Sequence, residues 1–275
     1  MRLTVAARAL GRCAADVAST DARAGSRARR EGGRRRWMSR RLERGARGVG
    51  DGDAGETRRA PTRTTRADAV ALAVGALRRG GVIAVPTDTI YGFAARAEDG
   101  AAVRRLYEIK GRKATVAVAI AVGDVGDIGR YGECSHLREG LLGRILPGPV
   151  TVLLRRRASE EGGASSELNP GVDLIGIRVP ASDFVREVCR AHGSAIALTS
   201  ANRSGETSTT SVEEFAELWD ACAEVFDGGV IETKRLGSTI VDLSSTDGRY
   251  GVVREGEKCA ELLEVLEREF SLMRR

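Results

Sequence analysis

Histidine is scarce in this chain of 275 residues, with two copies, and aromatic residues make up only 4% of it. The two histidines, His136 and His192, both fall in segments that read as helices. They leave little material for an imidazole relay or a histidine-rich metal cage. Few aromatic rings also means few platforms for stacking unpaired bases. Long apolar runs are missing: nothing approaches the roughly 18–20 apolar residues of a membrane-spanning helix, so no membrane association is expected. The five cysteines, at 13, 134, 189, 222 and 259, are odd in number and far apart. They show neither zinc-site spacing nor a disulfide framework, and read as small buried hydrophobes in a reducing compartment. No Walker-type GxxxxGK[ST] occurs, and no GxGxxG follows a strand.

Charge of one sign is present but confined. Residues 1–60 hold 16 Arg against seven acidic residues, a balance of +9; since the whole chain stands at +6, the remainder carries −3. The high isoelectric point is therefore no sign that the core grips nucleic acid. Residues 1–65 read as a leader. Its first 15 residues contain Arg2, Arg8 and Arg12 with apolar residues between them and no acid, as in an organelle transit peptide. Beyond Asp16 it becomes low-complexity and is expected to be a disordered linker. A solvated tail without an address, or a basic arm touching RNA, would share this composition. Cytoplasm, mitochondrion or both are the expected locations.

From residue 66 the pattern turns α/β. Residues 67–79 have apolar positions at helical spacing, closed by Gly80-Gly81. The β-branched run 82–86 reads as a buried strand. Asp99 can cap a helix over 100–110 with Val103, Leu106 and Tyr107 inward. Further strands are expected at 115–122, 150–154, 174–180 and 194–198, and as a hairpin at 238–243 and 250–255. Helices are expected at 136–145, 183–192, from a capping box at Ser211 to about 226, and over 257–270. The predicted fold class is α/β, a sheet flanked by helices, beginning near residue 66. Residues 259–275 are expected to form a C-terminal helix packing back on it.

Polar residues gather at three expected strand exits: Thr87, Asp88 and Thr89; Ser200 and Asn202; Ser238 and Thr239. Ligands collect at such places in α/β sheets, although Thr and Asp also make ordinary turns. Lys110-Gly-Arg112 is either a helix C-terminus with its usual cations and glycine or a phosphate grip. Arg178 interrupts an apolar strand; a cation there is not expected to be buried without an anionic partner, so it faces solvent or faces a ligand. Hydroxyls converging with Lys110, Arg112, Arg178 and Arg254 suit a polyanionic small molecule such as a nucleoside triphosphate. With no nucleophile or general base in view, chemistry would rest on positioning and charge stabilisation.

Pro86-Thr-Asp-Thr-Ile-Tyr-Gly92, Lys110-Gly-Arg112, Pro147-Gly-Pro-Val-Thr151, Gly176-Ile-Arg-Val-Pro180, Thr199-Ser-Ala-Asn202 and Gly237-Ser-Thr-Ile-Val-Asp242 occur in this order. Together they resemble the YrdC family, most closely its eukaryotic single-domain branch. The resemblance implies an open, twisted mixed sheet flanked by helices around a deep concave cavity, with the YrdC-like catalytic domain over 66–258. The resemblance implies L-threonylcarbamoyladenylate synthesis: L-threonine, bicarbonate and ATP, with Mg2+ accompanying the nucleotide, give threonylcarbamoyl-AMP and pyrophosphate. A downstream threonylcarbamoyl transferase complex then modifies tRNA. The resemblance also implies roles. Thr89, Arg178, Ser200 and Ser238 would bind threonine. Lys110, Arg112, Asn202, Thr210 and Arg254 would bind ATP, and Lys110 and Arg112 would be the catalytic cations, with no protein metal site.

One stretch departs from the family pattern. After Lys110-Gly-Arg112 the family carries a polar or basic residue and then Pro-Leu, where this chain has Val116, Ala117 and Val118. That departure concerns ATP affinity. The alternatives are a catalytically weak or inactive YrdC-like module making weak tRNA contacts, and a carbamoyl-adenylate-forming step in protein maturation. Proteins that take the latter step carry acylphosphatase-like and zinc-finger parts absent from this sequence.

Overall fold

Val82 and Ala84 enter one apolar cluster, and Ile83 and Val85 another. Side chains alternate between the faces of a strand, so this one is buried on both and belongs at the centre of a layered α/β fold. The computed structural model describes residues 60–111, 117–157 and 163–275. Its strands are β1 (Thr62–Arg63), β2 (Ile83–Pro86), β3 (Tyr91–Arg96), β4 (Ala119–Ala121), β5 (Val150–Arg155) and β6 (Leu174–Arg178). They continue with β7 (Ile196–Ser200), β8 (Glu224–Asp227), β9 (Thr239–Asp242), β10 (Arg249–Arg254) and β11 (Met273–Arg274). All join one mixed sheet in the order β1-β8-β2-β3-β7-β4-β6-β5-β9-β10-β11.

The helices are α1 (Ala69–Arg78), α2 (Gly100–Ile109), α3 (Leu141–Ile145), α4 (Asp183–His192) and α5 (Cys259–Glu264). Asp99 caps α2 by accepting the N–H groups of Ala101 and Ala102, and Val103, Leu106 and Tyr107 are its buried face. Helices α1 and α4 share a cluster with residues of β2, β3, β4, β7 and β8. They cover one face of the sheet over that half. Residues of β6, β5 and β9 are not part of that cluster, and Leu153 and Ile240 pack instead with Ala117 and Val253. There a Cβ on Gly176 would meet the side chains of Thr151, Leu153 and Ala119 at 3.1–3.5 Å. The candidate site lies where this helical cover stops.

Four segments differ from the sequence reading. Tyr91–Arg96 is a strand, antiparallel to β2 and β7. Its glycine and alanines carry little strand preference, and its pairing is decided by its two neighbours. A Cβ on Gly92 would lie 2.8 Å from Leu198 Cδ1 and 3.0 Å from Thr199 O, so the strand needs glycine there. The helix expected at 136–145 is confined to Leu141–Ile145, because Gly140 adopts φ 80° and interrupts it. The segment after Ser211 is a 3₁₀ turn series, Glu213–Ala221, broken at Phe215, and 224–227 belongs to β8 rather than to a helix. Of the strand expected at 115–122, Ala119–Ala121 is strand, while residues 115 and 116 lie outside the described residues.

At the ends, β1 pairs in parallel with β8, so regular structure starts before residue 66. The leader otherwise lies outside the described residues. Beyond 258, α5 continues through a π-turn, Val265–Glu269, and Leu262, Val265 and Leu266 are buried in the main core. Residues 273–274 then add a short edge strand beside β10. No helix among the described residues is long and apolar enough to cross a membrane.

Candidate active site

A cavity of about 420 Å³ opens on the uncovered part of the sheet. Its floor is made by strand residues, including Ala119, Thr151, Leu198 and Ile240, and its walls by the loops 204–208 and 234–238. Among the described residues, five cationic ones line it (Lys110, Arg178, Lys234, Arg235 and Arg254), against two carboxylates, Glu206 and Glu255. A concave site with this charge balance attracts anions, and its low-dielectric walls strengthen the attraction.

Lys110 follows α2 at its C-cap position and is 2% exposed. Its ammonium donates to Ser200 O at 2.7 Å, Ser200 Oγ at 3.1 Å and Asn202 Oδ1 at 3.1 Å. The exit of β7 thus fixes the charge at the cavity wall. Lys110, Ser200 and Asn202, separated by some 90 positions in sequence, form one polar knot. Arg112, Lys113 and Val116 lie outside the described residues. Ala117 is described and lines the cavity.

Across the cavity, Arg178 leaves β6 and is 7% exposed. Its Nη2 donates to Asp88 Oδ1 at 2.7 Å and to Thr89 Oγ1 at 3.3 Å. Arg178 is thus buried with an anion and also faces the cavity. Burial lowers the affinity of its guanidinium for the proton, and Asp88 opposes that shift. Thr89 is fully buried behind Arg178 and touches the site through it. The turn holding both acceptors is made by Thr87, whose Oγ1 receives the N–H groups of Thr89 and Ile90 and donates to Ile90 O.

The third group comes from β5, β9 and β10. Thr151 Oγ1 and Ser238 Oγ lie 2.7 Å apart. Arg254 Nη2 donates to Ser238 O at 2.7 Å and to Ser238 Oγ at 3.2 Å. Ser238 immediately precedes β9, so it stands at a strand entry rather than an exit.

Thr210 is placed differently from the other candidates. Its hydroxyl donates to Glu214 Oε1 at 3.0 Å, and it does not line the cavity. Glu214 in turn pairs with Arg235, so Thr210 supports the cavity rim rather than its surface. Thr151, Lys234 and Arg235 line the cavity but were not among the predicted site residues. A polar side chain in the apolar strand run 150–154 was the available signal for Thr151. Lys234-Arg235 stands in a loop with no local pattern.

Tyr91 also borders the cavity. Its hydroxyl donates to Gly229 O at 2.7 Å and accepts from Gly228 N, and burial pushes its pKa up to about 12. It therefore stays protonated at neutral pH and offers no base. Neither histidine lines the cavity; His136 bonds Leu243 O instead.

Residues 75–256 match the Sua5_yciO_yrdC family, described as "Telomere recombination". The chain belongs to this YrdC/Sua5 family. It is 41% identical over 218 residues to the threonylcarbamoyl-AMP synthase of Homo sapiens, covering 78% of this chain and 76% of the human one. A crystal structure of P. abyssi Sua5 complexed with L-threonine superposes with a TM-score of 0.66 at 29% identity, over 75% of this chain. This YrdC/Sua5 chain spans 59% of that Sua5 chain. E. coli YciO superposes with a TM-score of 0.61 at 26% identity, over 70% of this chain and 91% of its own. The motifs that the YrdC/Sua5 resemblance rests on are those whose residues meet in the cavity.

Proposed function

We propose that this chain is a threonylcarbamoyl-AMP synthase that condenses L-threonine, bicarbonate and ATP, releasing pyrophosphate, for threonylcarbamoyladenosine modification of tRNA. The observation that carries this reading is that Lys110, Arg178, Ser238 and Arg254 converge in one basic cavity, in a chain 41% identical to a synthase of that name. The threonine complex of a 29% identical relative adds support for an amino-acid subsite.

In this reading Arg178 takes the threonine carboxylate, for which a planar guanidinium fork is suited. Ser200 and Ser238 contact the amino acid, and Thr89 acts on it from behind Arg178. Asn202 and Arg254 face the nucleotide, with Lys234 and Arg235 at the mouth on the phosphate side; Arg112, outside the described residues, is assigned to the nucleotide by the family resemblance alone. The threonine amine bonds to the bicarbonate carbon with loss of water. A carbamate oxygen then bonds to the α-phosphorus as the bond to the bridging oxygen of pyrophosphate breaks. Negative charge grows on the phosphoryl oxygens in that step, and the fixed ammonium of Lys110 is available to stabilise it. Among the described residues no group of three or more His, Cys, Asp or Glu is arranged to hold a metal. Magnesium would therefore enter on the triphosphate, keeping its waters and phosphate ligands.

The product is a reactive mixed anhydride and needs an acyl-accepting partner, here a separate threonylcarbamoyl transferase acting on tRNA. The Arg-rich leader would direct part of the protein to mitochondria, leaving the rest in the cytoplasm. A fusion of residues 1–65 to a fluorescent protein tests that address. The function itself is tested by incubating the full chain with ATP, magnesium, bicarbonate and threonine and following threonylcarbamoyl-AMP by mass spectrometry. Formation of the adenylate only when all substrates are present is expected. Binding of tRNA without any adenylate would instead favour a non-catalytic module.

A further inference from the structure

Asp88 lies behind Arg178 and is not part of the cavity lining. Both of its oxygens are engaged by protein donors: Oδ1 by Arg178 Nη2 at 2.7 Å, and Oδ2 by the backbone N–H of Ala181 at 3.0 Å. The two donors sit on either side of Val179 and Pro180, where β6 leads toward α4. One carboxylate therefore grips both the guanidinium and the chain that carries it. The two side chains are 8% and 7% exposed, so water screens the pair weakly. Arg178 Nε is buried and has no hydrogen-bond partner. Arg178 also lines the cavity, so the guanidinium that Asp88 holds is the one an entering anion meets.

We propose that Asp88 is the positioning residue for the amino-acid carboxylate. It orients the Arg178 guanidinium at the cavity wall by tying it to the chain at Ala181. This rests on the reading that Arg178 binds the threonine carboxylate. Since both Asp88 oxygens already have partners, Asp88 acts through Arg178 and not on substrate. Orientation matters because a displaced guanidinium keeps its charge but no longer aims its donors into the cavity.

The test uses the full chain and the variants D88N and D88E. Threonine and ATP constants are measured separately in the adenylate assay, threonine binding is followed by calorimetry, and threoninamide replaces threonine in a parallel binding series. D88N is nearly isosteric but removes the charge. It is expected to weaken threonine binding about tenfold or more, a change equivalent to about 1.4 kcal/mol. The ATP constant is expected to move less than about threefold by the same scale. Threoninamide, which lacks the carboxylate, is expected to lose much less. Equal losses for threonine and ATP, or unchanged threonine binding beside a lowered melting temperature, would overturn the proposal. If D88N does not fold, D88E carries the same comparison, and failure of both to fold also overturns it. A wild-type chain that binds threonine without making adenylate refutes the proposed function alone. One that binds no threonine refutes both.

Discussion

Thr151 Oγ1 meets Ser238 Oγ at 2.7 Å across the parallel pair β5–β9, joining residues 87 positions apart. Ser238 is held from two further sides. Arg254 donates to its carbonyl and hydroxyl, and Gly256 passes so close that a Cβ there would lie 2.5 Å from Ser238 C and O. A contact that short with backbone is not relieved by moving a side chain.

G256A should therefore shift Ser238 and with it the grip on Arg254. Loss of about 1–3 kcal/mol of stability is expected, within the overpacking range, with at least tenfold lower kcat/KM for threonine. T151V, which removes only the hydroxyl partner, should cost about 1 kcal/mol and lower activity less. Thermal melts and adenylate yield measured side by side check the ranking. A G256A protein as stable and active as wild type would show that Ser238 is not pinned in this way.

K110M removes the ammonium that ties Ser200 to Asn202. The expected loss in kcat is about 10²–10³-fold, the size seen when a charge-stabilising donor is removed from a transition state. The buried acceptors left behind should also lower stability by about 1–3 kcal/mol. Single-turnover formation of threonylcarbamoyl-AMP separates the chemical loss from weaker binding. A near-normal single-turnover rate would remove Lys110 from the chemistry.

R178K keeps a positive charge but loses the planar fork. Threonine KM should rise about tenfold or more, a change of about 1.4 kcal/mol, while ATP KM changes far less. Equal loss for both substrates in steady-state kinetics would undo the assignment of Arg178 to the amino acid.

Away from the site, Asp124 accepts hydrogen bonds from Arg190 and Arg186. These partners, Arg190 foremost, bring its pKa from 3.8 down to about 2. A depressed carboxylate stabilises the fold above its unfolded value and loses that contribution as pH falls through the folded one. The melting-temperature gap between wild type and D124N should thus be constant above about pH 5 and close between pH 4 and pH 2. The pair is solvent-exposed, so the gap is expected to be small and to shrink with salt. A gap that widens on acidification would contradict the pairing.

The sequence by itself determined the chemical inventory and the elements written in local pattern. Helices α1, α2 and α4 follow from apolar spacing, with Asp99 as cap and Gly193 at φ 84° as stop. Motif residues such as Lys110, Arg178 and Ser238 could be picked out because hydroxyls and cations stand out beside apolar strands. What no local pattern contains is which of these meet. The Arg178–Asp88 pair spans 90 positions, and the strands and loops carrying it are brought together by the order of the sheet. The same holds for β3, whose weak intrinsic preference is overruled by two flanking strands, and for Thr210, whose hydroxyl is claimed by Glu214 at the rim. Side-chain chemistry is a property of each residue. A cavity is a property of where helical cover ends on a folded sheet, and only the tertiary structure decides that.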